Sequence, residues 1–445
     1  MRVDRGIRGC RASQSCWFRR LVVTFVLTAA MTAAVTGSAT AAGVGVGVSG
    51  GTGPSGGTSP TSRPKPKRKP AARPETRHST AANNPFATRG MWVWLLSQSD
   101  GGNLSALVAD AHRYGVTTLY IKSGDGSSTW SQFNSQVVAA LHSNGLRVCA
   151  WQYVYGVHPV NEAQVGAAAV AAGADCLAID AESQYEGRYV QAQTYIATLR
   201  ELIGANFPLA LAGFPYVDYH PAFPYSVMLG PGGAQYNAPQ MYWADIGTTV
   251  DAAYSHTYEF NRLYGRPIYP LGQVFDHPRI NQIKRFRSMS RSYGATGVSW
   301  WDWQDANLSD WTALSQSVGT LTGFIADPSM ATLGIRARGD VVVWAQEHLV
   351  SAGQRIAIDG AFGPATQAAV ENFQVAHGLP ATGLIDQATW QALLRFAPAR
   401  VRWTQRGKRT VATLASARAL PVPKSATLPA KRNEIPGSFG AGLPR

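Results

Sequence analysis

The stretch Cys176-Leu177-Ala178-Ile179-Asp180-Ala181-Glu182 decides how the chain is read. A short apolar run ends in two carboxylates on alternate positions, as a buried β-strand does when it emerges into a polar loop. It is the fourth of eight such runs. The others are Met91–Leu95, Thr118–Lys122, Arg147–Gln152, Leu209–Phe214, Ala238–Trp243, Ile268–Val274 and Gly297–Trp301, with the fourth strand itself over Cys176–Asp180. Between them lie segments with apolar residues at helical spacing: Leu104–Tyr114, Ser131–Asn144, Glu162–Ala172, Val190–Ile203, Val250–Tyr264 and Asn281–Tyr293. Strands alternating with helices predict an α/β fold with a parallel sheet, and eight repeats over residues 86–323 match a (β/α)8 TIM barrel. A doubly wound open sheet is the rival architecture, but no Gly-rich phosphate fingerprint follows the first strand.

Outward from the barrel the composition changes. The chain has 445 residues and a net charge of +14, from 40 Lys and Arg against 26 Asp and Glu. The excess is concentrated in Arg63–Arg77 and Arg400–Arg409, among Pro, Ala, Ser and Thr. Residues 42–85 run from Gly/Ser-rich to Pro/Lys/Arg-rich, a composition that predicts a disordered spacer, and residues 397–445 predict a disordered basic tail. Both segments suit anionic wall polymers as partners; no nucleic-acid motif accompanies them. Residues 1–41 read as a signal peptide: arginines up to Arg20, an apolar run Leu21–Val35, and Ala39-Thr40-Ala41. That run is short for a membrane span, so the mature chain is expected to have none and to be secreted or associated with the cell wall. Arg19-Arg20 leaves both the general and the twin-arginine export routes open. Cys149 and Cys176 fall on neighbouring strands, open to either a disulfide or two buried thiols.

The fourth strand end is the candidate catalytic site. Alternation puts Asp180 and Glu182 on one face with Cα atoms about 6.6 Å apart. Two carboxylates so close push each other's proton affinities apart, which lets one act as acid while the other stays a base or stabiliser. Other strand ends contribute Gln240 and Tyr242, Trp301 and Asp302, Gln152 and Trp94, the candidate substrate-binding groups: aromatic rings to pack on sugars, amides and acids to bond hydroxyls. Trp92, Trp151, Tyr153, Tyr155 and Tyr216 add aromatic surface, part of which must be core. His158, His220, His256 and His277 lack ligand spacing, so neither a metal nor another cofactor is expected.

Asp180-x-Glu182 with Gln240-Met241-Tyr242 resembles the retaining (β/α)8 hydrolases of N-acetylhexosamine polymers, the chitinase-like and family-25 muramidase-like enzymes. The resemblance covers about half of the chain. It implies that Glu182 protonates the glycosidic oxygen, that Asp180 orients the assisting acetamido group, and that Tyr242 helps hold the intermediate. Two departures stand out. Gly90-Met91-Trp92-Val93-Trp94 lacks the acid that the muramidases carry on their first strand. Ala178 stands where the chitinases continue their acidic motif upstream.

Residues 331–396 form a separate unit with helical patterns at Asp340–Ala352, Pro364–His377 and Asp386–Leu394. Asp359-Gly360-Ala361-Phe362-Gly363-Pro364-Ala365-Thr366, then Ala369, Phe373-Gln374 and finally Thr389-Trp390, closely resembles the small three-helix peptidoglycan-binding domain of wall hydrolases. The pattern repeats loosely from Ala381 to Asp386. Thr366, Phe373 and Trp390 read as structural residues of that domain. That resemblance implies non-catalytic binding, with peptidoglycan as partner; its pairing with the barrel favours a secreted peptidoglycan hydrolase of muramidase-like kind, and the other reading is a non-catalytic wall- or glycan-binding protein with an inactive barrel.

Overall fold

The computed structural model describes residues 84–406 and 409–415, so the expected signal peptide, nearly all of the spacer and the distal tail lie outside the described residues. Eight parallel strands form the barrel: β1 (Arg89–Val93), β2 (Thr118–Asp125), β4 (Arg147–Val154), β5 (Cys176–Ala181), β6 (Leu209–Ala212), β7 (Tyr236–Asn237), β8 (Leu271–Gln273) and β9 (Val298–Trp301). The short β3 (Ser128–Thr129) folds back antiparallel on β2. Each strand pairs with its predecessor in the chain, and β9 returns to pair with β1. Parallel bridges Asn237–Ile268 and Gln240–Leu271 join β7 to the β8 side and close the circle. The doubly wound alternative is thereby ruled out.

Helices cover the outside: α1 (Leu104–Tyr114), α2 (Ser135–Ser143), α3 (Pro159–Ala171), α4 (Tyr189–Ile203), α5 (Tyr225–Met228), α6 (Trp243–Ile246), α7 (Val250–Asn261), α8 (Ile280–Ser292) and α9 (Leu308–Ser315). Asn103, Asn134 and Thr249 cap α1, α2 and α7 through their side chains, and Gly115 ends α1 in the left-handed conformation. Strand side chains divide by alternation. Leu119, Ile121, Val148, Ile179 and Leu211 point out to the helices, while Trp92, Tyr120, Trp151, Ala178, Ala210 and Trp301 fill the interior. A side chain at Gly90 would collide with the Tyr120 ring, which stacks on Trp92 at 5.0 Å. Cys149 and Cys176 are register partners on β4 and β5, their Cα atoms 4.6 Å apart, and form a disulfide inside the barrel.

The strand expected over Ala238–Trp243 is present only in part. Pro239 has no N–H to give and the regular strand ends at Asn237, but Ala238 N, Gln240 N and Met241 N still bond Leu211 O, Gly213 O and Leu271 O before the chain turns into α6 at Trp243.

The C-terminal module contains α10 (Asp340–Ser351), α11 (Pro364–Ala376) and α12 (Gln387–Leu393). Two glutamines organise it in the same way. The Gln346 carbonyl accepts from Asp359 N and Gly360 N, and its amide reaches Ala361 O and Thr366 Oγ1. The Gln374 carbonyl accepts from Gly383 N, and its amide reaches Leu384 O and Thr389 Oγ1. The loose repeat in the sequence is thus one loop-locking device used twice, and Thr366, Phe373 and Trp390 are buried structural residues as expected.

One expectation is corrected. The chain beyond Phe396 is not structureless throughout: β10 (Val401–Arg406) and β11 (Arg409–Leu414) form an antiparallel hairpin. Its Trp403 packs on Tyr189 at 4.3 Å and clusters with Val343, while Gln193 of α4 bonds the backbone of Val401 and Trp403. A basic composition hid one buried indole and one clamping amide, and these suffice to order the hairpin against two helices. Among the described residues no helix is long and apolar enough to cross a membrane.

Candidate active site

β5 delivers Asp180 as its fifth residue, and Glu182 continues with extended backbone (φ −128°, ψ −151°), so strand alternation holds through both acids. They converge on one amide. Gln240 Nε2 donates to Asp180 Oδ1 at 2.9 Å and to Glu182 Oε1 at 3.3 Å, so the two accepting oxygens can be no further apart than these bonds laid end to end. Gln240 itself is held at its backbone, its N–H bonded to Gly213 O beyond β6. From β4, the Tyr153 hydroxyl lies 2.8 Å from Gln184 Oε1 and 3.4 Å from Glu182 Oε2.

Burial, with the Glu182 charge beside it, holds the Asp180 carboxyl well above the usual carboxylate range, and the Lys122 ammonium opposes the rise. Burial also raises Glu182, against the hydrogen bonds from Gln240 and Tyr153. Both shifts favour the protonated carboxyl, the form a general acid needs. Burial, and after it the same two charges, raise the Tyr242 hydroxyl, which keeps it a neutral donor next to the pair.

The sequence-based site residues part company here. Asp180, Glu182, Gln240 and Tyr242 come together at the mouth. Trp301 lies just below, 9% exposed, packed on Trp92 and Trp151 at 6.1 and 5.2 Å. Trp94 is half-buried at the same end, its ring 6.0 Å from Lys122 Nζ. Asp302 is 1% exposed, and burial together with Asp305 pushes its carboxyl up to about 8. Gln152 is the correction. It points outward to the helix layer, donating to Gly126 O and Glu162 O, and Gly166 of α3 leaves room for its carbonyl. Strand alternation explains the error: Trp151 and Tyr153 take the inward positions of β4, and Gln152 cannot share their side.

Lys122, Asp125 and Glu162 escaped notice. Lys122 is 1% exposed, with Nζ 2.7 Å from Asp125 Oδ2 and above the rings of Trp130 and Trp151 at 4.3 and 4.9 Å. Tyr155 donates to the other Asp125 oxygen at 2.8 Å. A register shift between Lys122 and Gly124 brings Asp125 level with Tyr153. Glu162 accepts the backbone N–H groups of Tyr155, Gly156, Val157 and His158, fixing the loop that leaves β4. The signal for Lys122 was present in the sequence, since Thr118, Tyr120 and Lys122 alternate in phase and put a lone cation on the inward face.

Residues 338–393 match the family described as "Putative peptidoglycan binding domain". The resemblance of the C-terminal module is thereby borne out. Over 44 residues the chain is 50% identical to the zinc D-Ala-D-Ala carboxypeptidase of Streptomyces albus G, covering 10% of this chain and 17% of that enzyme. A peptidoglycan-binding protein from Clostridioides difficile is 38% identical over 14% of this chain and 40% of its own, with a TM-score of 0.14. The chain thus spans less than half the length of either relative. The barrel is similar to a chitinase from Chromobacterium violaceum, which is 11% identical, covers 52% of this chain and 98% of its own, and gives a TM-score of 0.34. Among the described residues, no group of three or more His, Cys, Asp and Glu side chains is placed to hold a metal ion.

Proposed function

We propose that the protein is an exported glycosidase of the bacterial cell wall, bound to peptidoglycan through its C-terminal domain and hydrolysing glycosidic bonds of that polymer in its barrel. The observation that carries the proposal is the sharing of Gln240 by Asp180 and Glu182 in an aromatic barrel mouth. Glu182, half-buried and raised, is the proton donor to the glycosidic oxygen. Asp180, deeper and bonded to Gln240, steadies the positive charge that develops when the bond breaks, through the substrate's acetamido group. Tyr242 and Tyr153 supply neutral donors on either side. Trp94 and Trp301 offer ring surface to the sugar, and Asp302 supports the floor of the site. The basic segments flanking the folded part add attraction to anionic wall polymers.

A second reading has one observation in its favour: β1, Arg89–Val93, carries no acid on the strand where the muramidases that the chain resembles have one, so the barrel would bind glycan without cleaving it. One experiment separates the two. Purified peptidoglycan is incubated with the wild-type protein and with Glu182→Gln, and reducing ends are counted. Glycosidase activity predicts release by the wild type and a loss of at least 100-fold in the variant, as for removal of a general acid, with co-sedimentation on peptidoglycan retained by both. Sedimentation without release from the wild type would leave the binding reading standing.

A further inference from the structure

The barrel rim carries a second concavity that the carboxylate site does not use. Residues 213–224 leave the C-terminal end of β6, and the segment from Tyr242 to Thr249 follows β7, so both loops belong to the mouth face; the first turns of α7 start there too. Between them Tyr216, Tyr219, Ile246, Thr248 and His256 line a cavity of about 440 Å³, within the range of small-ligand sites.

Tyr219 is 67% exposed but is held in place. It meets Tyr216 edge-on at 5.3 Å and His256 at 5.4 Å, while His256 stacks on Tyr216 at 3.9 Å and is fixed by Asp218 at 2.7 Å. An aromatic ring left open to solvent, beside an imidazole–carboxylate pair and a threonine, offers what a pyranose binds: apolar surface for its C–H face and polar hydrogen-bonding groups for its hydroxyls. The cavity is also tied to the cleavage site. Gly213, three residues before Tyr216, holds the backbone of Gln240, and Ile246 N bonds to Tyr242 O.

We propose that this cavity is a saccharide subsite, holding a hexose of the glycan strand beyond the bond presented to Asp180 and Glu182. The inference rests on the reading of the barrel as glycan-acting, and its test keeps the two apart. Glycan strands freed of peptides, and the corresponding N-acetylated disaccharide, are titrated calorimetrically into three full-length proteins: Glu182→Gln, Glu182→Gln with Tyr219→Ala, and Glu182→Gln with Tyr219→Phe. Any strand binding by the C-terminal domain is common to all three. Tyr219→Ala is expected to weaken long strands about tenfold, the loss of one stacking contact, while Tyr219→Phe and disaccharide binding stay as in the parent. Matching melting temperatures exclude misfolding, as the exposure of Tyr219 leads one to expect. Equal strand affinity with and without Tyr219 overturns the subsite, whatever the hydrolysis assay gives. A tenfold loss in a protein whose wild type releases no reducing ends keeps the subsite and sinks the hydrolase. No strand binding by the parent overturns the subsite and leaves the hydrolase to the reducing-end assay.

Discussion

At the scale of single residues, Gln240 is the group on which the site chemistry turns. Its hydrogen bonds lower both carboxyls against the rise that burial imposes. Gln240→Leu removes them at nearly constant volume, so both acids titrate higher. The pH–rate profile for peptidoglycan hydrolysis should move to higher pH on both limbs, with a fall in maximal rate of about 10- to 100-fold. An unmoved profile would show that the amide does not govern the pair. Asp302 gives a test that needs no substrate. Burial and Asp305 push its carboxyl up to about 8, against an ordinary value of about 3.9 in the unfolded chain. Between these values the folded protein keeps a proton that the unfolded chain releases. Stability from this group is therefore complete below about pH 4 and is lost as pH rises towards 8. Asp302→Asn abolishes the dependence. Its urea midpoint relative to wild type should climb between pH 4 and 8 and level off above; a constant difference would mean that Asp302 is ionised throughout.

At the scale of elements, the disulfide joins β4 to β5 at Cys176, four residues before Asp180 along the strand. Its 27-residue separation corresponds to about 3.5 kcal/mol of unfolded-state entropy. Replacing both cysteines by alanine should cost roughly that much in denaturant titration, and a loss near zero would contradict the bond. This pairing also marks the limit of what the sequence tells. Adjacent strands were legible from alternation, but the register that sets Cys149 opposite Cys176 depends on pairing across the sheet. Helices were easier, because caps and periodicity are local: α1 runs over Leu104–Tyr114 as expected, and α10 and α11 end within a residue of their expected limits. The short α5 and the hairpin of β10 and β11 were missed, since few residues carry each and their order comes from contacts with distant helices. The same logic holds at the site. Asp180 and Glu182 could be paired from spacing within one strand, whereas Gln152 was misplaced and Lys122 overlooked, because inward phase has to be tracked strand by strand.

At the scale of the whole molecule, the wall-binding domain is fastened to the barrel. Asp340, the first residue of α10, is fully buried and accepts from Ser226 N at 2.8 Å, Ser226 Oγ at 2.7 Å and Tyr264 OH at 2.9 Å. Its own N–H bonds to Pro221 O, and Trp344 Nε1 donates to Leu263 O at 2.7 Å. The hairpin straps the same joint, with Ala399 N bonded to Glu347 O on α10 while Trp403 packs on Tyr189 of α4. A freely jointed binding domain would raise the local concentration of substrate and nothing more. If the barrel acts as proposed, a domain fastened by a buried carboxylate would hold its binding surface at a fixed distance and angle from Glu182 and would also select which bonds along an anchored strand reach the mouth. Asp340→Ala leaves a backbone N–H and two hydroxyls without their acceptor in a buried joint, at roughly 1–3 kcal/mol each. Calorimetry of the wild type should show one cooperative transition, and Asp340→Ala should separate it into two. Two independent transitions in the wild type would mean that the joint does not couple the domains. If they do uncouple on substitution, the variant should still sediment with peptidoglycan but give a broader distribution of fragment lengths, because its barrel is then free to sample bonds that the rigid joint keeps out of reach.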